Sequence, residues 1–195
     1  MSNVFYTGFD GIPSAGGNRF GLHGRWGNTC VWENAEHLAD NKKWGGKHVP
    51  PKWSVDLTPN GITDEGIHYN LDTAFTNNDT AETAWYAGLI DNAGFVGVAA
   101  ADTAAQIGGS NGWSESSAYS EATREVLSFA AAASRSITAE VQFTMNATVT
   151  IDGLFVVTAS AKAATTGVLW STALYTTGPD LESGNVLTSN YTLSD

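Results

Sequence analysis

The stretch Val141-Gln142-Phe143-Thr144-Met145-Asn146-Ala147-Thr148-Val149-Thr150-Ile151 places an apolar residue at every odd position and Gln, Thr or Asn at every even one. A period of two over this length is a β-strand with one buried and one wet face. Asp152-Gly153 follows, a dipeptide suited to a tight turn, and then Leu154-Phe155-Val156-Val157, so the expectation is a hairpin.

Working outward, the same grammar recurs. Trp85 to Ile90 reads as a strand ended by Asp91-Asn92-Ala93-Gly94. Val168 to Tyr175 reads as another, followed by a turn around Gly178-Pro179-Asp180 and a last strand from Val186 to Leu193. Thr63 suits a helix N-cap, with Asp64 and Glu65 in the first turn, and Ile67, Leu71, Ala74 and Phe75 recur at helical spacing. A short helix over 63–75 is expected, weakened by Gly66. Asp102 to Gln106 fits one helical turn stopped by Gly108-Gly109. The fold class that follows is mainly β: an antiparallel β-sandwich or jelly roll with one or two short helices. Its polar faces are dressed with Thr, Ser and Asn.

Residues 1–60 read differently, and the expected division is an irregular, aromatic-rich N-terminal arm over 1–60 and a β-sandwich domain over 61–195. The arm is dense in Gly and Pro, which break up helix and strand alike. Its best regular candidate, Cys30 to Leu38, fits a strand or a helical turn. Yet it holds Phe5, Tyr6, Phe9, Phe20, Trp26, Trp32, Trp44 and Trp53. Rings of this kind gain a few kcal/mol each on burial, about 1.5–3 for a large apolar side chain. Lacking periodicity, the segment is expected to lie along another surface, with Trp26, Trp32, Trp44, Trp53 and Arg25 as partner-binding anchors. On this reading residues 61–195 fold without the arm, and the arm is needed for attachment.

Composition sets limits. Of 195 residues, 42% are hydrophobic and 15% charged, which excludes a mainly disordered chain. A single cysteine excludes a disulfide scaffold. The net charge of −11 is uneven: residues 61–195 carry three basic residues against fifteen acidic ones, while residues 1–60 carry six against five. An acidic surface repels phosphates, so nucleic acid is not an expected partner. No apolar run approaches the roughly 20 residues of a membrane span, and Met1 to Tyr6 has neither a basic start nor an apolar run.

Chemical motifs fail on inspection. Gly108-Gly109-Ser110-Asn111-Gly112 matches a nucleophile elbow, but the last histidine, His68, precedes the serine, and no α/β pattern surrounds it. Cys30, His37 and His48, with Asp40 or His23, lack the tight ligand pair with which zinc sites usually begin. Asp79, Asp91 and Asp102 form no D-x-D-x-D calcium loop. No cofactor is expected. Trp85 and Trp113 could stack on sugar rings, although strand tryptophans more often serve the core.

From Gly61 onward the sequence resembles small structural proteins of tailed bacteriophages. The resemblance is carried by Gly61-Ile62-Thr63-Asp64-Glu65-Gly66, Asn70-Leu71-Asp72-Thr73-Ala74-Phe75, Trp85-Tyr86-Ala87-Gly88-Leu89-Ile90-Asp91-Asn92-Ala93-Gly94-Phe95 and Ala101-Asp102-Thr103. It continues in Gly112-Trp113-Ser114-Glu115, Tyr119-Ser120-Glu121-Ala122-Thr123-Arg124, Thr165-Thr166-Gly167-Val168-Leu169-Trp170-Ser171-Thr172-Ala173-Leu174 and Tyr191-Thr192-Leu193-Ser194. It implies a non-enzymatic virion protein, most simply a capsid decoration or cement protein made in the host cytoplasm and held on the capsid surface. Its implied partners are the major capsid protein and copies of itself. No catalytic residues come with the resemblance. The alternative is a receptor- or carbohydrate-binding module of a head fibre, tail fibre or spike, motivated by the Thr/Ser/Asn faces and by Trp85 and Trp113.

Overall fold

The alternating stretch does build a strand, but it stops earlier than its pattern. In the computed structural model, which describes residues 23–26, 29–46, 50–55, 61–109 and 112–194, strand β8 spans Ser136–Thr144. Ala139, Val141 and Phe143 are buried on one face, and Thr138 and Glu140 are exposed on the other. Asn146, Ala147 and Thr148 are all exposed, and β9 begins afresh at Val149 and runs to Val157.

The expected hairpin at Asp152-Gly153 is therefore corrected. These two residues lie inside β9, where the register shifts opposite Ile90 and Asp91. A glycine is required because a Cβ would collide with the Ala173 carbonyl of the neighbouring strand. The Asp152 carboxylate accepts two hydrogen bonds at 3.0 Å from the Asn92 amide. The bulge explains why Ile151 and Leu154, three residues apart, enter the same core.

The chain from β8 to β9 crosses between sheets instead of turning back within one. In the first sheet, β8 pairs along its whole length with β12 (Val186–Ser194). The other edge of β12 is shared by β1 (His23–Trp26) and β2 (Thr29–Trp32), with β3 (Trp53–Val55) outside β2. In the second sheet the order is β4 (Gly61–Ile62), β10 (Leu169–Leu174), β9, β5 (Tyr86–Asp91). Short strands β6 (Glu115–Ser116) and β7 (Glu125–Val126) line β5, and β11 (Asp180–Leu181) pairs with the start of β9. All pairings are antiparallel, and the two sheets form a sandwich.

Between the sheets, Val31, Val141, Phe143 and Leu187 meet Ala87, Leu89, Leu154 and Val156. The outer face of the second sheet is covered as well. Phe155, Val157, Ile90 and Leu169 pack under Trp113 and under Ala104 and Ile107 of a 3-10 turn, Ala104–Ile107. Burial on both faces is why Leu154 to Val157 is an unbroken apolar run.

The reading of residues 1–60 as an irregular arm does not hold where they are described. They supply β1, β2, β3 and helix α1 (Ala35–Lys43), capped by Asn34, whose side chain accepts the His37 N–H at 2.9 Å. Val31 is fully buried in the main core. These strands are three or four residues long, too short to display a period, and β12, the partner of β1 and β2, lies more than 150 positions away in sequence. Residues 1–22 are outside the described residues.

Helix α2 (Asp64–Leu71) starts where expected, with the Thr63 hydroxyl accepting the Gly66 N–H at 3.1 Å, and runs on into a π-helical turn, Asp72–Thr76. Its inner face is the unexpected part. Gly66 and Tyr69 are buried, while Ile67, Leu71 and Phe75 are 45%, 47% and 80% exposed. Gly66 sits against the Trp170 carbonyl of β10, and the Thr63 hydroxyl donates to the Leu169 carbonyl. The close approach that Gly66 allows therefore sets the helix rotation, outweighing the apolar spacing. Among the described residues no helix is long and apolar enough to cross a membrane.

Candidate functional site

The anchors proposed from sequence are not brought together. Trp32 is buried at 5% exposure with Leu38 and Val186, its ring edge-on to His37 at 5.3 Å. It belongs to a core cluster and presents little surface to a partner. Trp44, directly after α1, is 58% exposed, with the Lys43 ammonium 5.7 Å from its ring centre. The backbones of Arg25, Trp26 and Trp53 pair with Thr192, Tyr191 and Val31, and their side chains lie outside the described residues. His48 and Ser110 lie outside them too. Among the described residues no group of three His, Cys, Asp or Glu side chains could hold a metal ion. Cys30 is half-buried, and burial, followed by the nearby Glu140 carboxylate, pushes its thiol pKa up.

Two polar networks are buried under loops. Trp113, 2% exposed, donates from Nε1 to Asp102 at 2.9 Å, and the same carboxylate oxygen accepts the Ala99 N–H at 2.8 Å. Trp113 thus ties the 99–102 turn over the sheet and offers no face to a sugar. Arg124 and Glu115 pair at 2.8 Å with side chains 0% and 1% exposed. The guanidinium also donates to the Ala159 and Ala164 carbonyls, and Glu115 accepts from the Tyr119 hydroxyl and the Ala163 N–H. Burial, followed by the Glu115 charge, raises the Tyr119 phenol far above its ordinary pKa. The Lys162 ammonium lies 3.5 Å over the Tyr119 ring, and burial lowers its pKa. The Arg124 guanidinium and the Ala163 N–H tie this network to the chain at 159–164, so the network orders that loop.

Accessible features flank α2, among them an open cleft of about 450 Å³ lined by Asp64, Glu65, His68, Asp72 and Asp79. On its outer side Ile67, Leu71 and the following Phe75, four residues apart, form an exposed apolar ridge. On its inner side is a cleft of about 290 Å³ reaching down to both sheets. Tyr69, Trp85, Phe129, Trp170 and Tyr191 line it. Tyr69 meets Trp85 edge-on, with centroids 5.6 Å apart at 79°, and Trp85 meets Trp170 at 5.3 Å and 59°. Hydrogen bonds set the walls. Trp170 Nε1 donates to the Tyr191 hydroxyl at 2.9 Å, the Tyr69 hydroxyl donates to the Thr80 carbonyl at 3.2 Å, and the Glu82 N–H donates to Tyr69 at 2.6 Å. Asn70, Thr73 and Glu82 add polar groups to the lining. The Thr73 hydroxyl is buried and has no hydrogen-bond partner among the described residues.

No protein-family model, curated protein or solved structure matches this chain.

The accessible chemistry therefore includes an apolar ridge that can bury against a partner, a pre-formed aromatic cleft beside it and a polar cleft lined by carboxylates and His68. Sequence reasoning reached Trp85 as a ring platform but missed the cleft. Its walls come from α2, β10, β12, the residue before β5 and the 127–135 loop, segments joined only by folding.

Proposed function

We propose that this chain is a non-enzymatic structural protein of a tailed-phage virion, a decoration or cement protein that binds the outer capsid surface and clamps neighbouring major capsid subunits. One observation carries the reading: the exposed ridge of Ile67, Leu71 and Phe75, aligned on a helix that is locked to the sandwich by Gly66. Such apolar clusters mark interaction surfaces, and burying three large side chains contributes about 1.5–3 kcal/mol each before the costs of association. Leu71 and Phe75 belong to the motifs that carry the phage resemblance, and Ile67 lies between the first two of them. Trp44 supplies a second exposed ring. The accessible surface has sites for contact, and the best-formed polar networks are enclosed within it. A clip bound at many equivalent sites favours the assembled shell by mass action.

The test is rebinding to purified capsids stripped of the protein. The wild-type chain should return in hundreds of copies per particle and restore thermal stability. The triple variant Ile67→Ser, Leu71→Ser, Phe75→Ser should stay folded and fail to rebind. A stripped capsid as heat-stable as the decorated one, or a handful of copies at one vertex, sinks the cement role; the second result favours a fibre or spike.

A further inference from the structure

We infer that the aromatic cleft beneath α2 is a binding site for a neutral sugar ring. Its volume of about 290 Å³ is at the lower end of ligand pockets, which run from about 300 to 1,000 Å³, and so suits one or two rings. Trp85, half-buried, lines the cleft and supplies aromatic ring surface on which the C–H face of a pyranose can pack. A sugar also needs partners that both donate and accept. The Thr73 hydroxyl does both, is buried, and has no partner among the described residues, although buried polar groups nearly always find one. The Asn70 amide and the Glu82 carboxylate can orient further hydroxyls.

Charge narrows the class. Among the described residues Glu82 is the only charged one lining the cleft, on a chain of net charge −11, so an acidic sugar or a phosphate would be repelled. A quaternary ammonium suits the site less well. It prefers several ring faces around one point, whereas Tyr69 and Trp85 turn an edge toward a face, and it leaves the Thr73 hydroxyl unsatisfied. The inference stands apart from capsid decoration, because it concerns the free chain and its own cleft.

The experiment is calorimetry with saturation-transfer NMR on the full chain. The probes are the methyl glycosides of glucose, galactose, mannose and N-acetylglucosamine, beside glucuronate and tetramethylammonium chloride. At least one neutral glycoside should bind saturably, with a Kd of about 1 mM or tighter. Thr73→Val, nearly isosteric, should weaken binding about fivefold without lowering the melting temperature. Trp85→Ala should abolish binding, and Val96→Ser, at an exposed position outside the cleft, should leave it unchanged. Binding of none of the four glycosides overturns the inference. So does glycoside binding unaffected by Thr73→Val and Trp85→Ala, or binding of glucuronate or tetramethylammonium alone.

Discussion

Glycine to alanine inside a helix ordinarily stabilises a protein by about 0.5–1 kcal/mol, and at Gly66 the sign reverses. A Cβ there would lie 2.7 Å from the Trp170 carbonyl oxygen, which belongs to a sheet strand and cannot swing aside. Gly66→Ala should therefore lower the melting temperature by several degrees, at about 2–4 °C per kcal/mol for a chain of this size, as a calorimetric scan would measure. An unchanged or higher melting temperature would mean that α2 is not held against β10. Cys30 makes a second residue-scale prediction. With its thiol pKa raised by burial and then by Glu140, less thiolate is present at about pH 8 than on a free cysteine. Alkylation should run slower than for a free thiol, and Glu140→Gln should speed it. Equal rates in the two proteins would remove Glu140 as a cause.

At the scale of elements, the 159–164 loop hangs on one guanidinium. Arg124→Ala would leave Glu115 buried beside Tyr119 without its paired guanidinium, and losing one partner of a buried pair costs about 3–5 kcal/mol. Chemical denaturation should register that loss, and limited proteolysis should cut within 159–164. A variant as stable as the wild type would mean water reaches Glu115 freely. Strand β7 adds a pH dependence. Burial, followed by Glu121, raises the pKa of Glu125, so the native state favours its protonated form. The stability this contributes is full below the ordinary value of 4.5 and is lost as pH rises through the raised one. Glu125→Gln should thus gain stability relative to wild type near neutral pH and gain little in acid, as urea melts at both pH values would show. Elements were legible where the period had room. The strands at 86–91, 169–174 and 186–194 and the start of α2 all follow their patterns. The break at 146–148 was hidden because exposed Ala147 completes an apolar alternation by chance of composition. The helix face was hidden because spacing shows that a stripe exists, but not which side a glycine lets approach a strand.

At the scale of the whole molecule, the cleft and the first three strands were illegible for one reason: both depend on contacts between distant parts of the chain. Tyr69, Trp85, Trp170 and Tyr191 meet across more than 120 positions, and β1 and β2 meet β12 across more than 150. The same topology argues against the expectation that residues 61–195 fold alone. A chain starting at Gly61 would leave one edge of β12 open from Val186 to Thr188 and from Tyr191 to Ser194, an exposed edge prone to association. It would also remove Val31, Trp32 and Leu38, all less than 10% exposed. At about 1.5–3 kcal/mol each, their loss is comparable to the total stability of a typical domain, about 5–15 kcal/mol. The ion pairs lost with them, Lys42–Glu140 and Lys52–Glu182, are exposed and matter little. The shortened chain should aggregate or melt without cooperativity, while the full chain elutes as a defined species with a sharp transition. Size-exclusion chromatography and a circular-dichroism melt of both would decide it. A monodisperse fragment with the melting temperature of the whole chain would show that β1 to β3 are an accessory laid on a finished sandwich.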